Sequence, residues 1–174
     1  MTGPASNQCR VRVSSANDSS VNDISDANFS INEPPPPPPG GCAAKTAVQG
    51  TPREANTLTL LYRFRDRVLS KSARGQQYIA QFYQFSPEAV SLMVSHPALL
   101  FQTREMLRRF MPVIQSVIDR QAAKITQTDL MDIDRFLTAY AAQGSSEFRR
   151  TIKQLKRDLR DRQVQSEFGI TVSH

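Results

Sequence analysis

Asp129, Asp132 and Asp134 in "DLMDID" are carboxylates close enough in sequence to suggest a site for a hard cation. Their spacing argues against it. A calcium loop sets ligands at alternate positions about a central glycine and closes with a distal glutamate, and this stretch lacks the full alternation, the glycine and the glutamate. Asp129 and Asp132 suit a first helical turn, where acids favour the dipole. His96 has no neighbouring cysteine or second histidine to complete a zinc shell, so it reads as a helix-entry residue, and His174 is terminal. No serine or cysteine sits in Gly-x-Ser-x-Gly, and no glycine-rich phosphate loop occurs. The expectation is a chain with no catalytic residue, metal or cofactor, and not an enzyme.

Two other groups of side chains invite chemistry. Cys42 and Cys9 are candidates for modification or a disulfide: Cys42 can accept a lipid, pair with Cys9, or pack as a small apolar side chain, with packing the leading reading. The stretches "YRFRDRVLSKSAR" and "FRRTIKQLKRDLRDR" are rich in cations. In the second, Arg149, Arg150, Lys153, Lys156, Arg157 and Arg160 form a candidate anion-binding set, since each phosphate neutralised releases a counterion. Glu147, Asp158 and Asp161 offset part of that charge, and Asp158 is placed to support Arg162 at i,i+4. The chain's net charge is +6, and its basic surplus lies downstream of residue 57.

These groups need elements to hold them. Leu61, Phe64 and Val68 recur at helical spacing, then Tyr78, Ile79, Phe82 and Phe85, with "SARGQ" as the break. Ser86-Pro87 predicts an N-cap and first position of a new helix carrying Val90, Met93 and Val94, and His96-Pro97 repeats the signal. Leu99, Leu100, Met106, Leu107 and Phe110 extend a longer helix that Pro112 kinks or ends. Thr128 caps a helix bearing Leu130, Ile133, Leu137 and Tyr140, which Gly144 stops. Ser145 or Ser146 then starts the last helix, with Phe148, Ile152, Leu155 and Leu159 on one face. Tyr62, Phe64, Tyr78, Phe82, Tyr83 and Phe85 are expected as core aromatics. The fold class is mainly α: an antiparallel bundle of five to seven helices, with a small N-terminal β-hairpin and a polyproline linker.

The hairpin lies in "CRVRVSSANDSSVNDISDANFSI", where Val11 and Val13 alternate with polar residues, "NFSI" supplies the second strand, and Ser, Asn and Asp fill the loop. Two strands alone are marginal in water. Pro34 to Pro39 favour a polyproline II spacer of roughly 19 Å at about 3.1 Å per residue, and Gly40 and Gly41 free the chain beyond it. The boundaries are therefore 1–32 for the hairpin or a disordered start, 33–57 for the linker and following segment, and 58–174 for the helical module. "MTGPASNQCR" has neither the positive cluster nor the apolar stretch of a signal peptide, and no window approaches the roughly 20 apolar residues of a membrane span.

Two stretches carry a resemblance. The hairpin is similar to the last two strands of an immunoglobulin-like or fibronectin type III-like β-sandwich. Residues 42–114 resemble the CFI-box C-terminal domain of bacterial exported proteins: Cys42, Thr46, Ala47, Gly50 and Pro52 fall at places matching its Cys-Phe-Ile-Ala-Thr-Ala-Ala-Tyr-Gly-Ser-Pro opening. Phe64, Arg65 and Asp66 then match its Phe-Arg-Asp, and Gly75, Ser86-Pro87 and His96-Pro97 match later steps. Ala43-Ala44 replaces Phe-Ile, Gln49 replaces Tyr, and the chain runs some fifty residues past the usual core. The resemblance implies an extracellular or cell-envelope setting, upstream domains in a longer chain, and a noncatalytic C-terminal module for display, stabilisation or sorting. The alternative is a cationic helical module that binds nucleic acid or anionic envelope polymers. An anionic envelope surface is the favoured partner, with no specific nucleic acid expected. Asp66, between Arg65 and Arg67, is expected as a structural hub tying its helix to the next loop.

Overall fold

The computed structural model describes residues 6–18, 20–31 and 41–173, and the chain divides into two units at Pro36 and Pro37. The proline run lies outside the described residues. In the first unit, β1 (Ser6–Cys9) pairs antiparallel with β4 (Phe29–Ile31), and β2 (Arg12–Ser14) pairs with β3 (Asn22–Ile24). The two ladders are nested, β2 and β3 lying between β1 and β4 in the chain. The expected partner of Val13, the "NFSI" strand, is corrected: Val13 faces Asp23, inside what the sequence presented as loop. Val11, Val13, Val21 and Ile24 are exposed, so no described residue of this unit covers these four side chains.

The second unit is mainly α, with seven α-helices among the described residues. They are α1 (Ala43–Val48), α2 (Glu54–Arg67), α3 (Ala73–Ser95), α4 (Pro97–Ile118), α5 (Gln127–Gln143), α6 (Ser146–Asp158) and α7 (Arg162–Glu167). A 3-10 turn over Leu69–Lys71 reverses the chain between α2 and α3. The core gathers Ala47, Met93, Leu99, Tyr140 and Ile152, one residue from each of α1, α3, α4, α5 and α6. Its buried phenol is satisfied: Tyr140 meets Thr103 Oγ1 at 2.7 Å, and Thr103 donates to the Leu99 carbonyl at 2.7 Å. Residues 43–57, placed with the linker and following segment by sequence, open the helical unit with α1 and the start of α2, and Ala47 and Val48 are buried.

Pro87, expected to start a helix, and Pro112, expected to kink or end one, both lie inside helices. Pro87 is interior to α3 and Pro112 to α4. Each lacks an N–H for the i−4 carbonyl, typically a cost of about 3 kcal/mol in a helix interior. Burial of Phe85 and Met93 on either side of Pro87 opposes that cost. Ser86 does act as a cap, but for another helix: its buried hydroxyl accepts the Ala43 N–H at 2.7 Å, at the start of α1, where Cys42 offers no side-chain bond. Two positions on, Glu88 accepts the Ser145 N–H at 2.5 Å and the Ser145 hydroxyl at 3.0 Å, at the entry to α6. Side chains two apart on a helix point about 200° apart, so one turn of α3 reaches α1 on one flank and α6 on the other. His96 and Pro97 fall where expected, at the joint of α3 and α4.

The remaining departures are local. Thr126 caps α5 instead of Thr128, forming a capping box with Asp129. Of the aromatic group, Phe85 is buried, whereas Tyr62 and Phe82 are exposed, and Val94 is 71% exposed. The last helix is followed by α7 and by β6 (Ile170–Ser173), which pairs in parallel with β5 (Ala123–Thr126), a ladder not anticipated from the sequence. Ala123 and Ile125 are buried while Lys124 and Thr126 are exposed, the alternation of a one-sided strand.

Asp66 is not the hub. Its side chain is 58% exposed and pairs with Arg65 at 2.7 Å in its own helix. The tie to the following turn is made by its main-chain carbonyl, which accepts from Ser70 at 2.6 Å, and Arg65 crosses to the Tyr83 hydroxyl at 2.7 Å. Gly75 is the stringent position of this corner, since a Cβ there would lie 2.1 Å from the Leu69 carbonyl oxygen. Thermal unfolding of three variants is expected to rank them. Gly75→Ala costs about 3 kcal/mol or more through backbone displacement. Ser86→Ala costs about 1 to 2 kcal/mol through the lost cap. Asp66→Ala costs less than about 1 kcal/mol.

Candidate anion-binding face

Helix α6 starts as its sequence demands. Ser145 accepts the Phe148 N–H at 3.2 Å. Gly144 before it is needed for space, since a Cβ there would stand 2.6 Å from the Phe148 ring. Ile152 is buried and Phe148 half-buried, with Phe148 stacked on Phe85 at 5.1 Å between centroids. At 100° per residue, Arg149, Arg150, Lys153, Lys156 and Arg157 fall within an arc of about 120° beside that packing, and Arg160 follows just past the helix end.

The six do not behave alike. Lys156 Nζ lies 2.9 Å from Asp134 and 2.8 Å from Thr138 Oγ1 on α5, and Arg160 pairs with the other oxygen of Asp134. Arg157 donates to Gln154 at 3.3 Å. Arg149, Arg150 and Lys153 are exposed, and among the described residues they have no acidic partner. The expected support of Arg162 by Asp158 is absent, because α6 ends at Asp158 and the helical i,i+4 geometry ends with it. Asp158 instead accepts from Tyr78 at 2.9 Å and from Gln154 at 2.7 Å.

The carboxylates of this unit are engaged by partners within it, several of them at the surface. Glu54 accepts the Gly50 N–H, Asp161 caps α7 through the Gln163 N–H, and Glu147 holds Gln84. Asp119 faces Arg63, Glu105 faces Arg108, and Glu167 faces Arg74. Of the "DLMDID" trio, Asp129 and Asp132 share the Arg109 guanidinium, at 2.5 and 2.6 Å, while Asp134 turns to Lys156 and Arg160. Asp129 also accepts the Thr126 N–H, the main reason its carboxyl titrates below the ordinary aspartate range, with Arg109 adding to the effect. Among the described residues no three of His, Cys, Asp and Glu are grouped to hold a metal ion. With Asp66 on Arg65 and Glu88 on Ser145, every carboxylate from Glu54 to Glu167 has a partner, and the unit's surplus charge stands on cations.

The other residues singled out by sequence are spread across the helical unit. Cys42 is a half-buried free thiol at the start of α1, and the side chain of Cys9 lies outside the described residues. Phe64 and Arg65 are half-buried on α2, and Ser86, Pro87 and Gly75 lie on α3. His96 Nδ1 is 3.2 Å from the Leu92 carbonyl, a contact within the joint of α3 and α4. Sequence reasoning missed Arg104, which donates to the carbonyls of Ala47 at 2.8 Å and Gln49 at 3.1 Å and so closes the C-terminal end of α1. Nothing in the spacing of Arg104 signals that reach. No family model, curated protein or solved structure matches the chain.

Tyr78 anchors the far end of α6. Its phenol is pushed up to about 12, first by burial and then by its bond to Asp158, against an ordinary 10.0. A raised folded value means that the folded chain keeps a proton the unfolded chain gives up. The contribution is whole below pH 10 and is lost as pH rises toward 12. Urea unfolding across pH 9 to 12 is expected to show a flatter decline in Tyr78→Phe than in the parent.

Proposed function

We propose that residues 41–173 form a noncatalytic helical module that keeps its longer chain at a polyanionic surface by low-specificity charge contacts. The observation that carries this reading is the uneven use of charge: the carboxylates serve as caps and internal partners, whereas Arg149, Arg150 and Lys153 stand together on one exposed stretch of α6 with nothing opposing them. Such a cluster attracts phosphate or carboxylate polymers through counterion release, with steep dependence on salt. The apolar side of α6 is committed to the core, so binding through this face is electrostatic and involves no insertion.

The resemblance to the CFI-box domain supports an exported or cell-surface setting, and hence an envelope polymer or anionic lipid as partner in preference to a specific nucleic acid. Display or sorting of an attached segment is consistent with the way α1 is held. The chain just after the proline run is fixed at both ends of α1, by Ser86 and by Arg104. No described helix is long and apolar enough to cross a membrane.

Phosphatidylglycerol vesicles, heparin and duplex DNA, each titrated over a salt series, test the reading. The parent is expected to bind all three in dilute buffer and to release them as salt rises. On DNA, used as a reporter polyanion, the triple variant Arg149→Gln, Arg150→Gln, Lys153→Gln is expected to reduce the slope of log K against log salt by about 2 to 3. No binding at low salt, or an unchanged slope, overturns the proposal.

A further inference from the structure

A groove of about 860 Å³ runs between the first turns of α5 and the segment from Arg160 to Val172. Its apolar lining includes Leu130, Met131, Ile170 and Val172, and Arg135, Arg160 and Arg162 stand along it. Met131 is 54% exposed, a large apolar side chain left facing solvent.

The way β6 enters this lining is informative. Gly169, Ile170, Thr171 and Val172 all contribute. A strand shows only alternate side chains to a groove lying over its face, so consecutive residues mean that the groove runs along its edge. The other edge of β6 is occupied by β5, in register from Ala123 with Ile170 to Thr126 with Ser173. Among the described residues no strand pairs with the groove-side edge. The free edge therefore offers main-chain donors and acceptors beside apolar side chains, the combination that accepts an added strand.

Charge selects the occupant. The groove's one carboxylate, Asp134, is already met by Lys156 and Arg160. Arg162 has no acidic partner among the described residues, and Arg135 is largely exposed, its pair with Asp132 being 3.4 Å long. We propose that this groove binds an extended segment of a partner protein in which acidic residues alternate with Val, Ile or Leu. The segment adds as a third strand on β6, its apolar side chains on Met131, Leu130 and Val172 and its acids on Arg135 and Arg162. The site is separate from the free α6 cluster and stands whether or not that cluster holds a polyanion.

Panning a phage-displayed random heptapeptide library on the full chain tests it. The expected result is enrichment of acidic-apolar alternating peptides over the double variant Met131→Glu, Arg162→Glu, whose two positions are exposed and so leave the fold in place. A selected peptide, synthesised with capped ends, is expected to lose at least tenfold in affinity when alternate amides are N-methylated. It is expected to slow amide exchange at Ile170–Ser173 and to bind the triple α6 variant undiminished. Several results overturn the proposal: no enrichment over the double variant, indifference to N-methylation, loss of binding in the α6 variant, or a concentration-dependent dimer that fills the groove with a second copy.

Discussion

The helical unit depends on how the N-terminal ends of its helices are satisfied, and a single turn of α3 meets that need twice. Ser86 takes the first N–H of α1, and Glu88 takes the N–H and hydroxyl of Ser145, which caps α6. A helix of six residues such as α1 is far below the length that sustains itself in water. It persists because Ser86 closes one end, Arg104 closes the other, and Ala47 and Val48 are buried between them. Glu88 adds a negative charge where the dipole of α6 favours one. Pro87 sits between the two capping residues without interrupting α3, since the packing on both sides continues through it.

The same arrangement governs how the unit's acids and cations are used. Short acidic side chains suit caps and close contacts with neighbouring helices, and this fold uses them so at Glu54, Glu88, Asp129 and Asp161. Long basic side chains reach outward past the apolar stems that cover the helix surface. Acids are thus paired within the unit, while Arg149, Arg150 and Lys153 extend into solvent with no acidic partner among the described residues. The effect concentrates on α6, whose first turns carry three cations and whose last turn is tied down by Asp134 and Tyr78.

The mainly helical character of the unit, the stop at Gly144 and the amphipathic stripe of α6 were legible because each rests on local spacing that the tertiary structure leaves intact. The capping partner of Ser86 was not. A serine before proline has the same local signature whether its hydroxyl serves its own helix or, as here, one that starts 43 residues earlier. The helix start expected at Pro87 fails for a related reason, since a local rule gives the cost of an interior proline but not the burial that opposes it. The cationic set was visible as a set. Its division into free and engaged members depends on Asp134, a partner on another helix that no spacing rule connects to Lys156. The β-branched run Ile170-Thr171-Val172 is a strand signal, but four residues at the end of a helical pattern carry little weight against it.

That short ladder has consequences of its own. Parallel strands require a crossover, and here the crossover consists of α5, α6 and α7, so the pairing of β5 with β6 holds the last third of the chain in a closed path. Parallel strands are ordinarily covered on both faces and flanked by further strands. This pair has neither: β5 buries alternate residues only, and β6 has one bonded edge. Thr171 and Ser173 reinforce the bonded edge by donating to the carbonyls of Ala123 and Ile125 at 3.2 and 3.3 Å. Gly169, in the left-handed region at φ 67°, makes the turn from α7 that brings β6 alongside β5. The outer edge lacks the usual protections of an isolated strand, with no proline, no bulge and no charged residue among Ile170, Thr171, Val172 and Ser173. Arg135 across the groove and Arg160 and Arg162 along it repel cationic segments and attract acidic ones. An edge so placed is selective by charge before any side-chain pocket is considered.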